Sequence, residues 1–205
     1  MSFNSLTSST SSTLRFVAVQ RGAQALPETS LDLQILVQDN KQLLSQLDAL
    51  LCALDDSHYT NNESALFDSA LGLHVRHMLD HYDCFIRGLA DKCIDYDSRE
   101  RDVRVEAGTD FARERLRRLS NALDQLPREN QAVTVLQSSS GDTANRQPLA
   151  SSLARELVFL HSHSIHHQAS ISSLLRALGA SELEPVDFGI APATCQHQEA
   201  TGCAR

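Results

Sequence analysis

Seven of the nine histidines fall in two short clusters: His74, His77 and His81, then His161, His163, His166 and His167. Imidazole is the commonest metal-ligating side chain, and a helix brings residues three and four apart onto one face. His163 and His167 have the i,i+4 spacing by which two imidazoles on one helix reach a single ion. His166 flanks that face. His161 lies about 200° round from His163 at about 100° per residue and is expected to point into solvent. On the earlier stretch, His74, His77 and His81 share one side, spanning about 60°. His163, His167 and one histidine of the first cluster would hold a divalent ion and leave positions open for water or substrate. A metal in such a site lowers the pKa of bound water to about 7. His77, central in its cluster, is the expected third ligand. A lone histidine on a helix is more often an ordinary surface or core residue, and spacing alone leaves that alternative open.

Both clusters need helices to present them, and the apolar spacing supplies four. The first carries Leu33, Ile35, Leu36, Leu43, Leu44, Leu47, Leu50, Leu51 and Leu54, after a start signal at Pro27, Thr29 and Ser30 and before the break at Asp55-Asp56-Ser57. The second is predicted from Ser64 to Leu89. The third starts near Thr109 or Asp110, both suitable N-caps, and stops before Pro127. The fourth is predicted from Pro148 or Ser151 to Leu178, with Gly179 as the residue just past its end. Between the third and fourth, residues 131–137 suit one short strand, and Ser138 to Asp142 is turn chemistry. These elements predict an all-α fold, a four-helix bundle over residues 28–180. A flexible Ser/Thr-rich tail is expected at 1–27 and an irregular one at 181–205.

Composition narrows the function. The chain has 205 residues, 41% of them hydrophobic, and a formal net charge of −8. That charge argues against nucleic acid, since phosphate binding needs a basic surface. The run Arg113, Arg115, Arg117, Arg118 reads as a solvated helix face. No apolar run approaches the roughly 18 residues of a membrane span. The first residues lack the charged start and apolar core of a secretory signal. Five cysteines without a CxxC suit reduced thiols and a cytoplasmic setting. Cys52 and Cys84 are expected to pack on apolar faces, while Cys195, Cys203 and His197 make a weaker second metal candidate.

Other side chains are candidates for supporting roles. Glu156, two turns before His163, could act as a general base or orient a ligand; the alternative is a solvated or ion-paired residue. Asp80 could likewise orient a histidine. His74, His81 and His166 could line the pocket and carry protons. Tyr59 and Tyr82 could offer hydroxyls to a substrate.

The segment Leu160 to Gly179, LHSHSIHHQASISSLLRALG, resembles the last-helix motif of DinB/YfiT-like proteins, a superfamily of metal-dependent enzymes. Their pattern of His, three residues, His and a Leu-rich run to Gly is matched by His163, His167 and Ile171 to Gly179. Their second-helix ligand, followed after two residues by Asp, is matched by His77-Met78-Leu79-Asp80. GLHVRHMLDHYDCF, IDYDSRERD and DFGIAPAT are similar to one bacterial subgroup. The usual Arg-Gly-Gln after the last ligand is Gln168-Ala169-Ser170 here. The resemblance implies zinc, nickel, or manganese or iron held by His77, His163 and His167, in a chain that is often a homodimer. It also implies a small-molecule substrate, including low-molecular-weight thiols. The expected function is a metal-dependent hydrolase or thiol S-transferase, with a non-catalytic dimeric metal-binding or stress-related module as the alternative. Glu156, His166 and His81 are the candidate catalytic residues.

Overall fold

The leucine spacing of the first amphipathic stretch becomes helix α1 (Leu33–Ala53) in the computed structural model, which describes residues 32–61, 70–138 and 145–202. The expected tail at 1–27, the start signal at Pro27 to Ser30, the Ser64 end of the second helix, most of the Ser138 to Asp142 turn and Cys203 lie outside the described residues. Asp32 caps α1 by accepting from the Gln34 N–H at 2.9 Å. Asp55 ends the run by capping the single turn α2 (Asp56–Tyr59). The second long helix is α3 (Leu71–Gly88) and the third is α4 (Thr109–Leu123). Thr109 opens α4 as its first residue, not as its cap. Its N–H is held by Oδ1 of Asp56, 2.9 Å away on α2.

The fourth long helix, α5 (Leu153–Ala177), starts later than expected, with Ser152 accepting from the Arg155 N–H. Pro148 belongs to a strand instead. Gly179 ends α5 as its sequence position suggests, at φ +72. The Gly179 N–H bonds Arg176 O and the Ala180 N–H bonds Leu175 O, which satisfies the last free carbonyls. The segment after it is not the irregular tail expected from its prolines and glycines. It contains helix α6 (Pro192–Thr201) and buries Phe188.

An all-α description is incomplete, because a three-stranded sheet joins the helices. Strands β1 (Cys93–Asp95), β2 (Ala132–Gln137) and β3 (Gln147–Ser152) lie in the order β1-β2-β3. β1 runs parallel to β2 with Ile94 opposite Val135, and β3 runs antiparallel with Leu149 opposite Val135. The sequence predicts only β2, whose alternation buries Val133 and Val135. A single strand leaves its backbone groups unpaired, so β2 needs neighbours. β1 hides in a charged connection, and β3 contains a proline that an edge strand tolerates.

Helix α1 packs against α4 and α5, and so does α3. Leu44, Leu47, Met78, Leu79, Phe85, Leu157 and Leu160 are buried between them. Each such side chain stabilises the fold by about 1.5–3 kcal/mol on removal from water. The arginine run is only half a solvated face. Arg117 and Arg118 pair with Glu114 on the same helix. Arg113 reaches Asp48 on α1 at 2.8 Å, and Arg115 bridges to Asp80 and Asp83 on α3 at 3.1 and 3.3 Å. Cys84 is buried as expected, but Cys52 is exposed, because the α1 stripe turns its edge to solvent there. No helix among the described residues is long and apolar enough to cross a membrane.

Candidate metal centre

The packing of α3 on α5 decides whether the two histidine clusters meet. A buried polar chain fixes that packing beside them. Ser164 Oγ donates to Tyr82 Oη at 3.1 Å, and the Tyr82 hydroxyl donates to Asn40 Oδ1 at 2.8 Å. Asn40 Nδ2 donates to the carbonyls of Leu36 and Leu157. Helices α1, α3 and α5 are thus tied together one residue from His163. A second tie follows His167. Gln168, fully buried, donates from Nε2 to Leu43 O at 3.0 Å and accepts the Gly189 N–H at 3.3 Å. Gln168, the first of the three residues that depart from the Arg-Gly-Gln pattern, therefore holds α5 to α1 and to the C-terminal segment. Tyr82 and Tyr59 are consumed in the same way, Tyr59 donating to Val105 O at 2.7 Å. Neither hydroxyl is open to a substrate.

Within this frame His77, His163 and His167 converge. Each offers a ring nitrogen within 4.8 Å of those of the other two, the only such group among the described residues. Ring centroids lie 4.5 Å apart for His163 and His167, 4.5 Å for His77 and His167, and 5.1 Å for His77 and His163. Nitrogens bound tetrahedrally at about 2.1 Å stand about 3.4 Å apart, a spacing that the 4.8 Å upper bound on these three allows. The chemistry fits as well as the spacing. Burial pushes His77 and His167 down to about 3 and His163 down to about 4, with neighbouring charges adding to the shift. All three rings are neutral at physiological pH and carry a lone pair. Nε2 of His163 is buried with no hydrogen-bond partner. A cation at the centre would relieve that unpaired nitrogen.

The remaining histidines divide. His74 Nδ1 stands 3.3 Å from His167 Nδ1. His81 is buried, with its ring 4.1 Å from that of His163. Its Nδ1 donates to the carbonyl of His77 at 2.7 Å, which leaves Nε2 as an acceptor 3.5 Å from Arg99 Nη1. Burial lowers the His81 pKa to about 4. His166 is exposed and touches the cluster only through the His167 ring, 5.4 Å away. His161 is half-buried, not solvent-facing, and lines a separate cavity with Asp39 and Cys195.

The two carboxylates proposed as orienting groups do other work. Asp80 is buried against Arg115 and Arg76 and makes no bond to a histidine. Glu156 is fully buried. It accepts from Tyr96 Oη at 2.9 Å, from Ser151 Oγ at 2.5 Å and from Arg155 Nη1 at 2.9 Å. Tyr96 in turn stacks on His81 with centroids 5.6 Å apart. Sequence reasoning missed Tyr96 and Arg99, which sit in a charged connection with no periodicity to mark them. The strand β1 beside them is what carries them to the cluster.

The sequence profile of the DinB family matches residues 28–192. The chain belongs to the DinB family. The matched region covers α1 through the start of α6, so both histidine clusters of this DinB-family chain lie inside it. A curated relative, FK506-binding protein 5 of Rhizopus delemar, is 31% identical over 106 residues, which is 51% of this chain and 27% of that protein. The match therefore spans little more than a quarter of that relative's length. No solved structure matches significantly.

Proposed function

We propose that this DinB-family chain is a metal-dependent enzyme, a hydrolase or a thiol S-transferase, with its ion held by His77, His163 and His167. The observation that carries the reading is the convergence of three neutral imidazoles from α3 and α5, one with a buried, unpartnered Nε2. A divalent ion bound there would supply Lewis acidity toward a coordinated water or thiol. The four-helix bundle with metal ligands on facing helices suits that chemistry. Imidazole serves zinc, nickel, manganese and iron, and the ligand set alone does not choose among them.

The surrounding residues act on protons and on position. His81 keeps its own proton on Nδ1, against the His77 carbonyl, so its Nε2 lone pair faces Arg99 Nη1 and positions that guanidinium at the edge of the centre. Tyr96, with its pKa raised by burial and by Glu156, keeps its proton and donates it to that carboxyl group. Phe159, ring centroid 5.5 Å from that of His163, covers one side of the cluster and excludes water. A homodimer belongs to the same reading on family resemblance, and a cytoplasmic setting on the five cysteines without a CxxC.

Metal analysis of the purified protein, together with a panel of ester and low-molecular-weight thiol substrates, tests the proposal. One divalent ion per chain and turnover abolished by a chelator are expected. Turnover that survives full demetallation refutes the mechanism. Metal bound without any turnover favours the non-catalytic module.

A further inference from the structure

Next to the histidine cluster is a cavity of about 310 Å³ lined by His81, Tyr96, Asp97, Arg99, Arg155 and Phe159 with residues 135–138 at the end of β2 and just beyond it. Two of its walls are shared with the cluster. His81 and Phe159 face it, and their rings lie 4.1 and 5.5 Å from that of His163. At about 30 Å³ per water in the liquid, the volume suits a small organic molecule.

The cations in this cavity are not equivalent. Arg155 pairs with Glu156 and lies over the Phe159 ring, its Cζ 5.5 Å from the centroid. Arg99 has no carboxylate partner among the described residues. Its Nη1 donates to Tyr96 O at 2.7 Å and points at His81 Nε2. Those contacts hold the guanidinium in place and leave Nε and Nη2 without an acceptor among the described residues. A guanidinium so fixed is a planar fork for a carboxylate. Asp97 also lines the cavity, with Oδ2 accepting the Ser138 N–H. Its charge in the same cavity disfavours a dianion such as a phosphomonoester more than a monoanion. Val135, Leu136 and Phe159 provide apolar wall for the rest of the ligand.

We infer that this cavity is the substrate pocket of the centre and takes a small monocarboxylate with an apolar body, its carboxylate on Arg99 and its body against Phe159. The inference deepens the reading of the metal centre by naming the substrate class, and it rests on that reading for the word substrate. Arg99 is then a specificity-determining residue. Its fork sits beside His81 Nε2, so a carboxylate held there would leave the remainder of the molecule along the wall that borders His163.

Phenylacetate, phenylacetamide and phenyl phosphate test this, with binding followed by protein chemical shifts on metal-free protein so that no carboxylate can ligate an ion. Phenylacetate should shift resonances of β2 and of the start of α5, at least tenfold more tightly than its isosteric amide and than phenyl phosphate. Arg99→Gln should lose that preference by about tenfold or more, and Arg99→Lys should recover part of it. Both variants should keep the circular dichroism spectrum and metal content of the parent. Equal binding of acid and amide, tighter binding of phenyl phosphate, unchanged binding in Arg99→Gln, or no shift at millimolar phenylacetate each overturn the pocket assignment. Loss of metal uptake in His163→Ala with phenylacetate binding retained shows the two sites to be separable. Absence of metal from the parent protein together with Arg99-dependent phenylacetate binding refutes the metal reading and leaves the pocket standing.

Discussion

His81 donates its Nδ1–H to the carbonyl oxygen of His77, one helical turn earlier, at 2.7 Å. That bond turns these two of the three imidazoles of α3 to different tasks. His77 faces the centre with His163 and His167, while His81 stands between the centre and the neighbouring cavity. His77→Ala and His163→Ala should each abolish stoichiometric metal binding. His81→Ala should retain one ion per chain, with affinity reduced by about 10- to 100-fold at most, the range seen when a group supporting a ligand is removed. Metal analysis after equilibrium dialysis measures all three.

Acid should destabilise the metal-free protein through the same rings. Unfolded histidines titrate near 6.5, whereas burial holds His77 and His167 at about 3 and His81 and His163 at about 4. Below the unfolded pKa, the unfolded chain binds protons that the folded chain refuses, so stability rises with pH in that window. The urea midpoint should be level above about pH 6.5 and fall toward about pH 4. A His81→Phe variant should show a shallower fall. The same depressed values mean that metal uptake at neutral pH displaces almost no protons. Calorimetry in buffers of different ionisation enthalpy should therefore give nearly equal heats.

The ion cluster between α3 and α4 should be sensitive to loss of one partner. Asp80 is 2% exposed and its partner Arg115 is 13% exposed. Asp80→Ala leaves Arg115 with Asp83 alone, 3.3 Å away, so the loss should approach but stay below the about 3–5 kcal/mol of breaking a buried pair outright. The double variant Asp80→Leu with Arg115→Met should recover part of that loss, since neither charge is then left alone. Urea denaturation of the single and double variants reads the difference.

Gly189 should not tolerate a side chain. Its φ is +70, and a Cβ there would sit 2.5 Å from Ala169 N and 2.7 Å from the Gln168 carbonyl carbon. Gly189→Ala would push the C-terminal segment off α5 and break the bond from the Gly189 N–H to Gln168. A loss of about 2 kcal/mol or more is expected, from the combined cost of backbone strain and a broken buried hydrogen bond. Thermal unfolding should show it, with easier proteolysis after α5.

The limits of legibility follow one physical line. Periodicity of apolar residues marked α1, α3, α4 and α5, because each buries one face and local spacing records that face. The i,i+4 pair His163 and His167 and the C-terminal stop at Gly179 are local in the same sense. The sequence by itself therefore determined the four long helices and which imidazoles each presents, but not the short α2 or the C-terminal α6. Only tertiary structure decided that His77 meets His163 and His167, through the Asn40–Tyr82–Ser164 chain that sets α3 against α5. It also decided that Arg115 pairs with Asp80 and Asp83, that Glu156 is buried against Tyr96 and Ser151, and that Tyr96 and Arg99 reach the cluster from the loop beyond strand β1. Those relations depend on contacts between residues far apart in the chain, and no local repeat encodes them.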